Sequence, residues 1–263
     1  MRENMSAGIG INNVTKIFAR QGADETLLAL DSVSVDIAPG EFVTLLGTSG
    51  CGKSTLLRII AGLEVPTKGD VLFNGEKIMG TSPQRGLVFQ EHTLFTWLTV
   101  RENVEFALKA TKQYRDKRHE ISDWLELAGL SEFADNYPHQ LSGGMRQRAA
   151  LVRALAVSPE VLLLDEPLGA LDSFTRMSLQ DELVRLWKER GNTMIMVTHD
   201  VDEAIYLSQR IVIMSPRPGR ISRIFSLPLS YPRNRASDDF TLLRTDILKL
   251  MDFASDVREE YTI

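Results

Sequence analysis

At 263 residues, with 43% hydrophobic and 25% charged side chains, the chain has room for one large α/β domain carrying an inserted subdomain. A net charge of −5 gives no electrostatic footprint for nucleic acid, so none is expected as a partner. Its one cysteine, Cys51, excludes an internal disulfide, Met1 to Gly10 lacks an apolar signal core, and no run approaches the ~18 apolar residues of a membrane helix. Any work at a membrane is therefore expected to go through other subunits.

In chain order, Ile9–Phe18, Leu28–Ile37 and Val71–Phe73 alternate between apolar and polar residues, and Asn74-Gly75 is a hairpin signal. They predict a small antiparallel sheet. Phe42–Leu46, Leu87–Gln90, Val161–Leu164, Met194–Thr198 and Ile211–Met214 are continuous apolar runs. Such runs predict strands of a parallel sheet covered on both faces. Helices are predicted over Ser54–Ala61, ending at Gly62, and over Phe174–Arg190, capped by Asp172 or Ser173 and ending at Gly191. From Thr99 to Leu155 the pattern is helical, opened by a Thr99/Glu102 capping box, and predicts an inserted helical subdomain at about 95–157. A second box, Asp200/Glu203, precedes Ala204–Leu207.

Between the strand at Phe42–Leu46 and the helix at Ser54 stands Gly47-Thr48-Ser49-Gly50-Cys51-Gly52-Lys53-Ser54-Thr55, a P-loop (Walker A) pattern. The glycines let the backbone curl so that N–H groups point inward at phosphate oxygens, and the following helix adds its positive dipole end. Lys53 is placed for the β/γ oxygens, the Ser54 hydroxyl for Mg²⁺ and Thr55 for the α-phosphate. Cys51 reads as a small residue in the loop. The antiparallel sheet is expected to lie over this nucleotide site.

Val161-Leu162-Leu163-Leu164-Asp165-Glu166-Pro167 is an apolar strand ending in two carboxylates. In a doubly wound sheet Asp165 emerges at the edge that carries the P-loop and is suited to the hydration shell of Mg²⁺. Glu166, one residue on, is placed to polarise a water for in-line attack on a γ-phosphate. Leu141-Ser142-Gly143-Gly144-Met145-Arg146-Gln147-Arg148 supplies another helix start with bare N–H groups: Ser142 is the N-cap, and Met145, Ala149, Val152 and Leu155 are the apolar face. One nucleotide does not need two phosphate cradles from one chain. Ser142, Gly143 and Gly144 are therefore expected to bind ATP held by a second copy.

The order of the P-loop, Leu87–Gln90, Leu141–Arg148, Leu164–Pro167, Leu171-Asp172 and His199 resembles the nucleotide-binding subunit of ABC transporters, from about Ile11 to Ile221. The resemblance implies a P-loop α/β core with an antiparallel β subdomain and an inserted helical subdomain, and it implies ATPase activity. It implies that Gln90 contacts Mg²⁺ and the attacking water, that Asp172 contacts the opposing P-loop, that His199 reaches the γ-phosphate and that Phe18 stacks on adenine. Met145 and Gly169 depart from the usual Gln and Ser, without removing a functional atom. Gly86–Glu91, Tyr137–Arg148, Leu168–Asp172 and Ser215–Ile221 are most similar to the nitrate, sulfonate and taurine importer ATPases.

That resemblance implies a homodimer, or a pair with a second ATPase subunit, working with transmembrane permease subunits and indirectly with a solute-binding protein at the cytoplasmic face of the inner membrane. The alternative is a non-transport ABC ATPase acting as a soluble switch. In the loop after Gln90, Leu94, Phe95, Trp97 and Leu98 form an apolar cluster. Leu98 is expected to pack on the helical subdomain and the others to offer a socket for a permease helix. The ATPase domain is expected over 8–225 and a C-terminal tail over 226–263. Arg217 to Arg235 carries five arginines and no acid, and reads as a solvated, partly extended stretch or as a contact for an anionic surface. Asp239–Phe253 reads as an amphipathic helix, with Phe240, Leu243, Ile247 and Leu250 on one face packing on the chain's own core.

Overall fold

The computed structural model describes residues 8–19, 26–90, 93–169 and 171–256, the side chains of 252–256 excepted. The chain divides into two compact units, residues 1–81 with 183–263, and residues 82–182.

The first unit holds two sheets. Strands β1 (Ile9–Ala19), β2 (Thr26–Ile37), β4 (Lys68–Phe73) and β5 (Glu76–Lys77) form the antiparallel sheet in the order β2-β1-β4-β5. The Asn74-Gly75 hairpin has positive φ at both residues, 51° and 82°, the signature of a tight turn whose twist matches its strands. In the other sheet β3 (Phe42–Leu46) runs parallel to β8 (Thr193–Thr198) on one side and to β9 (Arg210–Met214) on the other. Every residue of β3 and β8 is buried, which is why their sequences are continuous rather than alternating. Helix α1 (Lys53–Ala61) follows β3 and stops at Gly62, whose φ of 79° lets its N–H turn back to the last carbonyls.

The second unit contains the parallel pair β6 (Arg85–Val88) and β7 (Val161–Asp165), with helices α2 (Val100–Ala110), α3 (Tyr114–Lys117), α4 (Ile121–Leu127) and α5 (Gly143–Ala156) between them. The expected strand at Leu87–Gln90 is displaced. Its ladder with β7 begins at Arg85 and ends at Val88, so Phe89 and Gln90 leave the sheet. The Thr99/Glu102 capping box is formed in both directions, at 2.8 and 3.2 Å. Helix α6 (Ser173–Arg190) contains the boundary between the units, and Asp172 Oδ1 accepts the Thr175 N–H at 3.0 Å at its start.

Two expectations for the C-terminal part change. Asp200 does cap α7 (Val201–Leu207), accepting from Asp202 and Glu203 N–H, but Glu203 does not complete a simple box. Its buried carboxylate takes the Thr198 hydroxyl at 2.7 Å, and the Asp200 N–H donates to that same hydroxyl oxygen at 3.1 Å. The arginine-rich stretch, in turn, is not a solvated tail. Ile221–Ser226 forms β10, antiparallel to β9. Arg233 is 6% exposed and donates to the Ile205 and Ser208 carbonyls at the end of α7, where a cation suits the helix dipole. Arg235 stacks on Tyr206. Helix α8 (Asp238–Asp256) buries Phe240 and Ile247 and packs against α7, with Arg244 paired to Asp202.

Candidate functional site

In the first unit the turn from β3 into α1 is built by its glycines. Gly50 and Gly52 have φ of 78° and 96°, in the left-handed region where a side chain is strained. At Gly52 there is no room for one either. A Cβ there would lie 2.6 Å from Leu30 Cδ2 and 2.9 Å from the Ala29 carbonyl oxygen. Gly52 is the N-cap of α1 and no side chain caps that end, nor is there an acid in the first turn. The first N–H groups of α1 thus face outward under a positive dipole, the arrangement that suits phosphate. Lys53 is 4% exposed, and its ammonium donates to the Gly47 carbonyl at 2.7 Å and the Thr48 carbonyl at 3.0 Å. Cys51 is fully buried against this ammonium, its Sγ 3.7 Å away, which agrees with a packing role. Thr48 and Ser49 are exposed, and Ser54 and Thr55 are half-buried on the first turn.

Also in this unit, His199 stands exposed between β8 and α7. Thr198, tied to Glu203 and Asp200, fixes the backbone on both sides of it. The importance of Thr198 was not read from the sequence, because a buried hydroxyl in an apolar run looks like one more strand residue. Phe18 is half-buried on β1, with the Lys16 ammonium 4.8 Å from its ring centre.

In the second unit β7 ends on Asp165, 4% exposed, and the chain turns sharply at Glu166, whose φ is 44°. A non-glycine residue in this region carries strain, and such strain gathers at functional sites. Glu166 Oε2 accepts from Gln90 Nε2 at 3.2 Å, so the two residues expected at the attacking water are brought together. Ser142 is the N-cap of α5, accepting from Met145 N–H at 3.2 Å, again with no acid in the first turn. A Cβ at Gly143 would meet nothing within 4 Å, while at Gly144 it would come within 3.1 Å of Leu171 Cδ2. The helix start is therefore open at Gly143 and closely backed at Gly144. Asp172 is exposed, and its hydrogen bonds to Thr175 hold its carboxyl below the usual carboxylate range.

The donor set also fits a magnesium nucleotide. Mg²⁺ keeps most of its water and takes few protein ligands beside phosphate oxygens. The Ser54 hydroxyl of the first unit and, in the second, the Asp165 carboxylate and the Gln90 amide are each oxygen donors of the kind such an ion takes. Among the described residues no group of three or more His, Cys, Asp or Glu side chains forms a cage of its own.

The loop before α2 departs from expectation in detail. Glu91 and His92 lie outside the described residues. Leu94, not Leu98, is the buried member of the apolar cluster, and Leu98 is half-buried. Phe95 packs edge-on to Phe106 with ring centres 4.5 Å apart, and lies 5.3 Å from Trp97. Trp97 is 71% exposed and Phe106 45%. Phe106 was not singled out in the sequence; its signal is its place on α2 off the buried face of Val100, Val104 and Leu108. Arg153 of α5 closes the cluster, donating to the Thr93 carbonyl at 2.7 Å and hydroxyl at 2.8 Å, its guanidinium 5.6 Å from the Phe95 ring centre.

A family profile described as ABC transporter matches residues 30–169. The chain is 49% identical over 242 residues to the aliphatic sulfonates import ATP-binding protein SsuB of Bacillus thuringiensis subsp. konkukian, spanning 92% of this chain and 94% of that protein. It is 49% identical over 247 residues to a putative ATP-binding protein of Brucella abortus, spanning 92% of this chain and 93% of the other. Among solved structures it resembles the dimeric post-hydrolysis state of the ATP-binding cassette MJ0796 bound to ADP and Pi, with a TM-score of 0.76 and 36% identity over 84% of this chain and 100% of that one. The chain belongs to the ABC transporter family and is one of its ATPase cassettes.

Proposed function

We propose that this chain is the ATP-hydrolysing subunit of a multi-subunit membrane importer for a small anion such as a sulfonate, nitrate or taurine. The observation that carries the chemistry is the Gln90–Glu166 pair at the end of β7, with Glu166 held in a strained left-handed turn. The importer class rests on the likeness to a sulfonates import ATP-binding protein along 92% of the chain.

In this reading Phe18 stacks on adenine, and the N–H groups of Gly47, Thr48, Ser49, Gly50, Cys51, Gly52, Lys53, Ser54 and Thr55 line the triphosphate. Lys53 exchanges its carbonyl partners for β- and γ-phosphate oxygens. Ser54, Gln90 and Asp165 hold Mg²⁺, which when bound neutralises charge on the β- and γ-phosphates. Glu166 accepts the proton of the attacking water, Gln90 orients it, and His199 contacts the γ-phosphate. Ser142, Gly143 and Gly144 complete the site of a second subunit, and Asp172 contacts its P-loop. The dimer closes on two ATP molecules and reopens after hydrolysis, a switch between two packings.

The ATPase domain spans 8–225, and 226–263 forms the C-terminal tail. Among the described residues no helix is long and apolar enough to cross a membrane. The chain then works peripherally, on the cytoplasmic face of the inner membrane. Exposed Trp97 and Phe106, around Phe95, offer the apolar surface to which a permease helix docks. The experiment is affinity purification of the chain from detergent-solubilised membranes, with phosphate release measured on the product. Co-purifying integral membrane subunits that stimulate hydrolysis support the reading. An ATPase that recovers no membrane protein would favour the soluble switch.

A further inference from the structure

Ser215-Pro216-Arg217-Pro218-Gly219-Arg220-Ile221 has no part in the chemistry above, yet it lies against the phosphate cradle. The turn leaves β9 at the edge where the P-loop leaves β3, since Leu46 is paired in parallel with Ile213. It is internally tied. Ser215 N–H donates to the Arg220 carbonyl at 2.9 Å, Arg220 N–H to Ser215 Oγ at 3.1 Å, and that hydroxyl to the Pro218 carbonyl at 3.2 Å. It is also tied to β2. Gly219 N–H donates to the Ala29 carbonyl at 2.9 Å, Asp31 N–H to the Gly219 carbonyl at 3.0 Å, and Arg220 Nε to Asp31 Oδ2 at 2.8 Å.

From this anchored base the turn touches the P-loop twice. A Cβ on Gly219 would stand 2.0 Å from the Cys51 carbonyl oxygen, so only glycine allows the backbones this close. Arg217 Nε donates to the Gly50 carbonyl at 3.3 Å. The same β2 segment presses from its own side, since Leu30 Cδ2 fills the space a side chain on Gly52 would need. Gly50 and Gly52 are the two left-handed residues of the cradle, and each is backed by this layer.

We propose that Arg217 is a positioning residue of the phosphate cradle. By holding the Gly50 carbonyl outward it keeps the N–H groups of the Gly50–Gly52 segment turned inward, with the Gly219 contact as the stop behind Cys51. This rests on the reading of Gly47–Thr55 as the ATP-phosphate site. A loop preset in this way binds polyphosphate without first losing its own freedom, so the contribution falls on nucleotide affinity rather than on the chemical step.

The test is titration of the full chain with a fluorescent ADP analogue, for wild type, Arg217→Ala, Arg217→Lys and Lys53→Ala, together with melting temperatures with and without ADP. Arg217→Ala is expected to bind ADP about three- to tenfold more weakly, the size of one ordinary net hydrogen bond, since Arg217 is exposed to solvent. Its KM for ATP should rise by the same factor with kcat at saturation unchanged. Arg217→Lys should recover most of the affinity. The melting temperature without nucleotide should match wild type, while the ADP-induced rise shrinks. Unchanged ADP affinity in Arg217→Ala, measured where Lys53→Ala has lost binding, overturns the proposal. So does a lowered melting temperature with unchanged affinity, which would mark a purely structural contact. Wild-type binding by Lys53→Ala would instead overturn the P-loop reading beneath it.

Discussion

Gln90 donates its amide to the carboxylate of Glu166 at 3.2 Å, and Glu166 sits at φ 44°, a conformation that costs a non-glycine residue stability. Glu166→Gln keeps the size and the hydrogen-bonding capacity but removes the base. It should bind ATP and lose about 10²–10⁴-fold in turnover, leaving a stable ATP-bound dimer. Steady-state phosphate release and gel filtration with ATP measure both. Hydrolysis near the wild-type rate would remove Glu166 from the role of base.

The strain at Glu166 gives a second outcome. Glu166→Gly relieves the left-handed strain while deleting the carboxylate, so its melting temperature should equal or exceed that of wild type as activity disappears. The expected gain is about 1 kcal/mol, read from urea unfolding. A marked drop in stability would show that the carboxylate, rather than the backbone, holds this turn.

Ser142 caps a helix start open to solvent at Gly143, and Lys53 lies in a cradle on the other unit of the chain. If the two serve one nucleotide from different copies, mixing Lys53→Ala with Ser142→Arg chains gives heterodimers with one doubly damaged and one intact site. ATP binding to the purified mixed dimers should show that single intact site. Dimers with none would rule out the head-to-tail arrangement.

Trp97 is the most accessible member of the aromatic cluster, while Phe95 is wedged among Trp97, Phe106 and Arg153. Phe95→Asp should spare hydrolysis by the isolated subunit and abolish assembly with the permease. Trp97→Ser, at an exposed position, should weaken assembly without loss of solubility. Pull-down of the membrane subunits beside ATPase rates decides it. Full assembly by both variants would exclude the cluster as the docking surface.

Tyr231 donates its hydroxyl to the Leu207 carbonyl at 2.7 Å, and burial pushes its pKa up to about 12 from 10.0. A raised folded-state value means the fold prefers the protonated phenol. That stabilisation is complete below the unfolded pKa near 10 and is lost as pH rises through about 12. Its size is about 2–3 kcal/mol at two units of displacement. Urea midpoints measured at about pH 9 and about pH 11.5 should fall further for wild type than for Tyr231→Phe. Equal falls would show that Tyr231 does not govern the alkaline limb.

Local rules made much of this protein legible before any fold was seen. The P-loop, the acidic end of β7 and the Ser142 helix start are each written in a few consecutive residues, because backbone curl, strand burial and capping are short-range effects. The fully buried β3 and β8 announced themselves by unbroken apolar runs. The edge of β6 did not. Apolar residues continue through Phe89, and only pairing with β7 shows that the strand has ended at Val88.

What the tertiary structure decided were the partners of side chains that obey no local pattern. Five arginines without an acid look solvated when read along the chain. In space Arg233 caps α7, Arg235 covers Tyr206 and Arg217 reaches Gly50, because the acceptors are carbonyls and rings from segments distant in sequence. Glu203 looked like half of a capping box until Thr198 claimed its carboxylate. Gly219 looked like a turn glycine, but its necessity comes from the Cys51 carbonyl, 168 positions earlier in the chain, which occupies the place of its missing side chain. The sequence alone therefore determined the class of chemistry, since phosphate cradles and acidic strand ends are local devices. The packing that presets those devices could be decided only by the folded chain, since long-range contacts have no local signature.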